Sequence, residues 1–200
     1  MSTQILWFAT RGAGVVSLIL FSVVACLGLL SVARTQSAWW PRFLTVELHR
    51  TLALLSVAFL AIHIVTAVLD PFTHLGIAAA FVPLASIYRP LPVALGVVSI
   101  YLVGAVIVTS LLRDRIGHRL WRAVHWTSYL SWPLAVEHTL TAGSDAFTPW
   151  MLGITILCAL AVAAALLIRL TAGGTNRSRL DAVTRGTADP IAVEAAWRND

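Results

Sequence analysis

The sequence predicts an all-α fold, a polytopic transmembrane helix bundle of about five spans plus one short interfacial or re-entrant segment. Three observations predict it. Of the 200 residues, 58% are apolar and only 12% are charged, with a mean hydropathy of +0.84, which leaves too little polar surface to coat a soluble globule. The stretches Gly12–Ala33, Thr51–Leu69, Pro90–Leu112 and Ala146–Ile168 hold no charged residue, and each reaches the length of about 18 or more that crosses a bilayer core. A fifth stretch, Ala123–Ser144, carries only Glu137. Finally, the basic residues fall in a pattern that suits five crossings and not six.

The first span is expected at about residues 11–33. Cys26 within it is followed by Leu-Gly-Leu-Leu, still apolar, so an uncleaved helix is expected rather than a removed signal peptide. The linker after it contains Trp39-Trp40-Pro41, an interfacial aromatic anchor beside a helix breaker. The second span covers about residues 44–69 and is closed by Asp70-Pro71. From Leu75 to Tyr88 the chain is apolar for only about 13 residues, which is too short to cross the bilayer. Pro83 interrupts that segment and Arg89-Pro90 ends it, so it is expected to lie in the interface or re-enter. Spans three, four and five follow at about 91–112, 120–142 and 147–170. Residues 1–170 thus form a transmembrane bundle. Residues 171–200, with Gly173-Gly174 and four acidic side chains, are expected as a flexible cytoplasmic tail.

All fourteen basic residues are Arg, and their placement orients the bundle. Twelve of them flank the loops after spans one and three or lie at or beyond the end of span five, while only Arg11 and Arg89 fall on the other side. The positive-inside rule then puts the N-terminus outside the cell membrane and the C-terminus in the cytoplasm. Arginines spread in this way are not the clustered patch of a nucleic-acid binder, so no nucleic-acid partner is expected, and membrane lipid is the expected surroundings. Cys26 and Cys158 stand alone in separate apolar spans and read as small buried hydrophobes.

Four of the six histidines lie within spans two and four: His49 and His63 on one, His125 and His138 on the other. Ionisable residues inside a membrane are costly and point to function. Separations of 14 and 13 residues correspond to rises of roughly 21 and 20 Å. In a five-span topology the two helices run in the same direction, so His49 meets His125 near the cytoplasmic side and His63 meets His138 near the outer side. Each level offers two imidazoles. Imidazole is a common axial ligand of haem iron, whereas zinc takes three or four protein ligands and is disfavoured. Two haems stacked across the membrane use all four residues. At about 100° per residue, however, the 13 steps from His125 to His138 fall about 140° short of four full turns. Pro133, between them, is the expected site of a kink that restores the facing, with Trp132 filling the gap.

The stretch from Leu48-His49-Arg50 through Ala61-Ile62-His63, with Trp121-Arg122-Ala123-Val124-His125 through Glu137-His138, resembles the ferric reductase-like transmembrane domain. That domain is shared by ferric reductases, NADPH oxidases and the haem subunit of the bacterial periplasmic methionine sulfoxide reductase system. Its pattern has two His on each of two helices with thirteen and twelve residues between them, and both intervals recur here. The resemblance spans about residues 10–170. It implies that His49 and His125 ligate an inner haem b and that His63 and His138 ligate an outer one. The oxidases have six spans and a cytoplasmic flavin and nicotinamide domain. Here five spans are expected, and no Gly-rich phosphate-cradling turn follows a strand anywhere in the sequence.

The expected function is therefore transmembrane electron transfer, as an oxidoreductase component without its own flavin or NAD(P)H domain. The donor would be a separate flavoprotein or a quinol, and the acceptor would lie outside the cytoplasm. The competing class is a non-redox membrane protein, such as a haem or metal transporter or an assembly subunit; the repeats and broken helices common in transporters are not evident. Among other polar groups, Arg115, Arg119 and Arg122 stand near His125, where they could pair with haem propionates or act only as positive-inside residues. Glu137 points about 100° away from His138 around the helix, where it could serve a quinone or proton path or only reach the outer interface. His74 and His118 are expected as loop surface residues. Asp70, His74, Tyr88 and Arg89 are the outer-face groups from which an acceptor site could be built.

Overall fold

A computed structural model describes residues 2–33, 42–71, 73 and 75–187. Trp39-Trp40-Pro41, His74 and residues 188–200 lie outside the described residues. The described chain is helical, with no strand, in the order α1 (Ser2–Ala33), α2 (Arg42–Leu69), α3 (Ile77–Phe81), α4 (Pro90–Leu111), α5 (Arg113–Ile116), α6 (His118–His125), α7 (Ser128–Ala142) and α8 (Pro149–Thr187). Four helices contain segments long and apolar enough to cross a membrane: Gln4–Ser31, Phe43–Leu69, Pro90–Leu111 and Pro149–Thr171. The expected fourth span is present as two pieces, α6 and α7. Together they run from His118 to Ala142, about 37 Å at helical rise. The protein is a multi-pass membrane protein.

Local chemistry sets the boundaries. Pro71 cannot continue α2, and the Thr73 hydroxyl takes over two carbonyls at its end, donating to Ala67 at 2.8 Å and Asp70 at 3.0 Å. The Leu75–Tyr88 segment folds only the short helix α3, which stops before Pro83. It is tied to α4 by a bond from the Tyr101 hydroxyl to the Phe81 carbonyl. Arg89 caps α4 in the left-handed region at φ 42°, with Pro90 supplying the preset φ of the first turn. Gly117, at φ 78°, makes the reversal between α5 and α6 that a side chain would strain. Helix α8 continues past residue 170 to Thr187, into the segment expected as a tail.

Packing divides the bundle into two walls. On one, α1 packs against α2 and α8; on the other, α4 packs against α6 and α7; α1 also touches α7. Small buried hydroxyl residues let these backbones approach. Ser17 and Ser56 exchange hydroxyl-to-carbonyl bonds at 3.3 and 3.4 Å, joining α1 to α2, and Ser99 of α4 donates to the Ser131 carbonyl of α7 at 2.9 Å. Trp132 of α7 donates its indole N–H to the Ser22 hydroxyl of α1 at 3.0 Å. The outward faces carry exposed Phe8, Leu55 and Leu157, as a lipid-facing surface requires.

Candidate functional site

Between the two walls lies a cavity of about 1300 Å³, larger than the roughly 300–1,000 Å³ of a single small-molecule or cofactor site, reaching from Trp7 and Arg11 at one end to Arg113 and Arg169 at the other. All four membrane histidines line it. The ring centroids of His49 and His125 are 6.2 Å apart, and those of His63 and His138 are 6.3 Å apart. The structure thus brings together the two pairs that the five-span reading expects. Among the described residues no cluster of three or more His, Cys, Asp or Glu is placed to hold a metal ion, so each level has two imidazoles as its protein donors.

Three of these rings are oriented from behind. His49 Nδ1 donates to the Val24 carbonyl at 3.0 Å, His63 Nδ1 to Thr10 at 2.8 Å, and His138 Nδ1 to Pro92 at 2.8 Å. A carbonyl can only accept, so Nδ1 carries the proton and Nε2 keeps its lone pair. That is the tautomer of a metal-ligating histidine whose ring is fixed by an outer partner. Glycines make room for these rings. A Cβ at Gly96 would stand 2.7 Å from His138, one at Gly14 would stand 2.9 Å from His63, and one at Gly28 would stand 3.4 Å from His49. None of these three glycines is singled out by the sequence reading, although Gly14 and Gly28 repeat the 14-residue interval of His49 and His63.

The facing of His138 has a different origin from the expected one. Pro133 sits inside an uninterrupted α7; the break comes earlier, at Trp126 and Thr127, directly after His125. There the backbone tightens. Thr127 N–H bonds to Val124, Tyr129 to Trp126 and Leu130 to Thr127, each three residues back. Each step tightened in this way advances the helix by about 120° instead of about 100° and so recovers about 20° of the shortfall. The Thr127 and Ser128 hydroxyls hold the turn by donating to the Val124 and His125 carbonyls, both at 2.7 Å.

The remaining candidates are distributed around this cavity. Of Arg115, Arg119 and Arg122, only Arg122 lines it; Arg50, Arg113 and Arg169 join it at the same end. His118 opens α6 and is exposed, with its ring 5.2 Å from Trp121, a closer association with the cavity than a loop surface residue would have. At the opposite end Arg11 lies 4.1 Å over the Trp7 ring and pairs with Asp145 and Ser144. Asp70 is buried there, and the Tyr88 hydroxyl donates to the Ala142 carbonyl at 3.3 Å. Arg89 reaches the Thr141 carbonyl. Glu137 is exposed and does not line the cavity. Both cysteines are free thiols.

The fold and the site define a multi-pass membrane helix bundle whose interior presents two levels of opposed imidazoles. The family described as ferric reductase like transmembrane component matches residues 13–136, and the chain belongs to that family. The matched region includes His49, His63 and His125 and ends just before His138. No curated protein and no solved structure matches the chain.

Proposed function

We propose that this protein carries electrons across the cell membrane through two b-type haems, the inner one held by His49 and His125 and the outer one by His63 and His138. The observation that carries this reading is the ring separation. A metal–imidazole bond of about 2.0 Å, with about 1.1 Å from nitrogen to ring centre, separates the centroids of two rings on opposite sides of one ion by about 6.2 Å. The observed separations are 6.2 and 6.3 Å. The chemistry of the donors agrees, since two neutral imidazoles per level suit an iron whose other four positions belong to a planar macrocycle. Held by these four histidines, haem would supply a one-electron carrier at each level.

The chain's own residues do the rest. The carbonyls of Thr10, Val24 and Pro92 fix ring orientation and raise imidazole basicity. The apolar walls of α1, α2, α4 and α7 exclude water. Arg50, Arg113 and Arg122 at one end offer guanidinium groups to acidic substituents. With the N-terminus outside and the C-terminus in the cytoplasm, electrons enter from a separate flavoprotein or quinol near His49 and His125. They leave near His63 and His138 to an acceptor outside the cytoplasm. Outward movement across a membrane negative inside is favoured by about 2.3 kcal/mol per 100 mV if the whole field is crossed. The test is the haem content of the purified protein. Two reducible b-type haems per chain are expected, and a colourless preparation from haem-replete cells would overturn the reading.

A further inference from the structure

Three of the four imidazoles are seated by one repeated arrangement, and the fourth is not. In that arrangement a main-chain carbonyl accepts the Nδ1–H, and the glycine four residues later leaves space for the ring. Thr10 and Gly14 serve His63, Val24 and Gly28 serve His49, and Pro92 and Gly96 serve His138. On α1 the two settings are 14 residues apart. The same step along α4 from Pro92 and Gly96 arrives at Val106 and Ser110, which line the cavity with His125. Here a serine stands where the pattern has glycine. Its hydroxyl turns back onto the Val106 carbonyl at 2.6 Å and accepts the indole N–H of Trp121 at 3.2 Å.

His125 is left without that seat. Its Nδ1 is buried with no hydrogen-bond partner, one of two such side-chain atoms among the described residues. The ring is backed only by Trp121, with centroids 5.1 Å apart and planes at 32°. It is also the last residue of α6, directly before the Trp126–Thr127 turn, whereas His49, His63 and His138 lie inside continuous helices. Loss of the outer partner of a ligating histidine typically costs about 10–100-fold in metal affinity. An orphaned buried N–H adds a desolvation penalty that ring rotation relieves.

We propose that His125 is the exchangeable ligand of this protein, so that the inner level, and not the outer, admits a small neutral ligand of the carbon monoxide class. The inference rests on the haem reading above. In the exchange His125 would release its Nε2 lone pair from the ferrous haem and carbon monoxide would donate its carbon lone pair in that place; no electron would be transferred and His125 would stay neutral. Ser110 acts as a positioning residue, since its side chain stands where the other three settings have glycine and its hydroxyl makes the shorter of two bonds to the Val106 carbonyl, the other coming from Thr109 at 3.2 Å.

The experiment is a carbon monoxide titration of the dithionite-reduced, haem-loaded full chain, followed by difference spectroscopy. One of the two haems is expected to react. His63→Ala, which removes an outer ligand, should keep the reactive haem, and His49→Ala should lose it. Ser110→Gly opens the notch and removes the shorter of the two hydroxyl bonds on the Val106 carbonyl, leaving that of Thr109 at 3.2 Å, and it should weaken carbon monoxide binding by about ten-fold or more. It should also sharpen the low-spin signal of the oxidised inner haem, a change that a merely structural role for Ser110 would not produce. Two haems present with neither reactive, or with the reactive one lost in His63→Ala and kept in His49→Ala, would overturn the proposal while leaving the two-haem reading intact. Unchanged affinity in Ser110→Gly would overturn the role given to Ser110. A chain that holds no haem fails at the earlier reading instead. The stoichiometry in the unsubstituted protein tests the central claim even if a histidine variant does not accumulate.

Discussion

Replacing Gly96 by Ala is expected to empty the outer haem site without harming the fold. The added methyl would stand 2.7 Å from Nδ1, 2.9 Å from Cε1 and 3.1 Å from Cγ of His138. Favourable contacts begin near 3.5 Å, so the ring must retreat by roughly 0.8 Å, whereas metal–ligand distances hold to about ±0.2 Å. The retreat also pulls Nδ1 away from the Pro92 carbonyl, now at 2.8 Å. Loss of that partner alone corresponds to about 10–100-fold in metal affinity, or about 1.4–2.7 kcal/mol. Helix propensity acts the other way, because Ala is favoured over Gly in a helix interior by about 1 kcal/mol. The assay is haem per chain and the reduced-minus-oxidised spectrum, measured beside yield and far-UV circular dichroism. Three companions grade the effect: Gly14→Ala meets His63 at 2.9 Å and should also lose outer haem, Gly28→Ala meets His49 at 3.4 Å and should keep nearly all haem, and Gly104→Ala meets nothing within 4 Å and should keep all. Full haem in Gly96→Ala, or equal losses across all four variants, would refute the argument that close approach of α1 and α4 seats the rings.

Three further outcomes follow from the same geometry. His63→Ala and His138→Ala should each lose the outer haem, and His49→Ala and His125→Ala the inner one, read as two matched pairs of difference spectra; matching of His49 with His138 would contradict the pairing. The purified chain should not oxidise NADPH without an added flavoprotein, measured as absorbance loss under anaerobic conditions, since among the described residues there is no strand for a phosphate-binding Gly-rich turn to follow. Reporter fusions at residues 38, 80, 116, 145 and 190 should read inside, outside, inside, outside, inside. An outside signal at 116 with an inside signal at 38 would require the Leu75–Tyr88 segment to span and would pair His49 with His138 and His63 with His125, so that the electron path would need redrawing.

Spans two and three were legible to within about two residues, because charge-free runs end at prolines that fix where a helix stops or starts. The pairing of histidines was legible as well, since short loops and the arginine bias leave one direction for each crossing. The break in span four was not, because its usual markers point elsewhere. Pro133 draws attention, yet α7 passes through it unbroken. The turn at Trp126 and Thr127 depends on two hydroxyls competing for carbonyls, a signal that Thr and Ser give at many positions without breaking a helix. The glycine settings were hidden for another reason. Glycine is frequent in membrane helices, and only the ring it faces distinguishes Gly14 from Gly12, whose position meets nothing. Likewise, which arginines reach the cavity depends on helix rotation, which separates Arg122 from Arg115 and Arg119.

The Trp126–Thr127 turn lies on only one of the two walls. His49 and His63 share an unbroken α2, and both of their carbonyl partners share an unbroken α1. That wall is a rigid ruler, and a substitution that shifts α1 along α2 displaces both imidazoles together. His125 and His138 are separated by a joint, so the opposite wall can alter one without the other. Adjustments that set the two levels to different potentials are therefore expected to accumulate in α4, α6 and α7, while α1 and α2 hold the spacing between them constant.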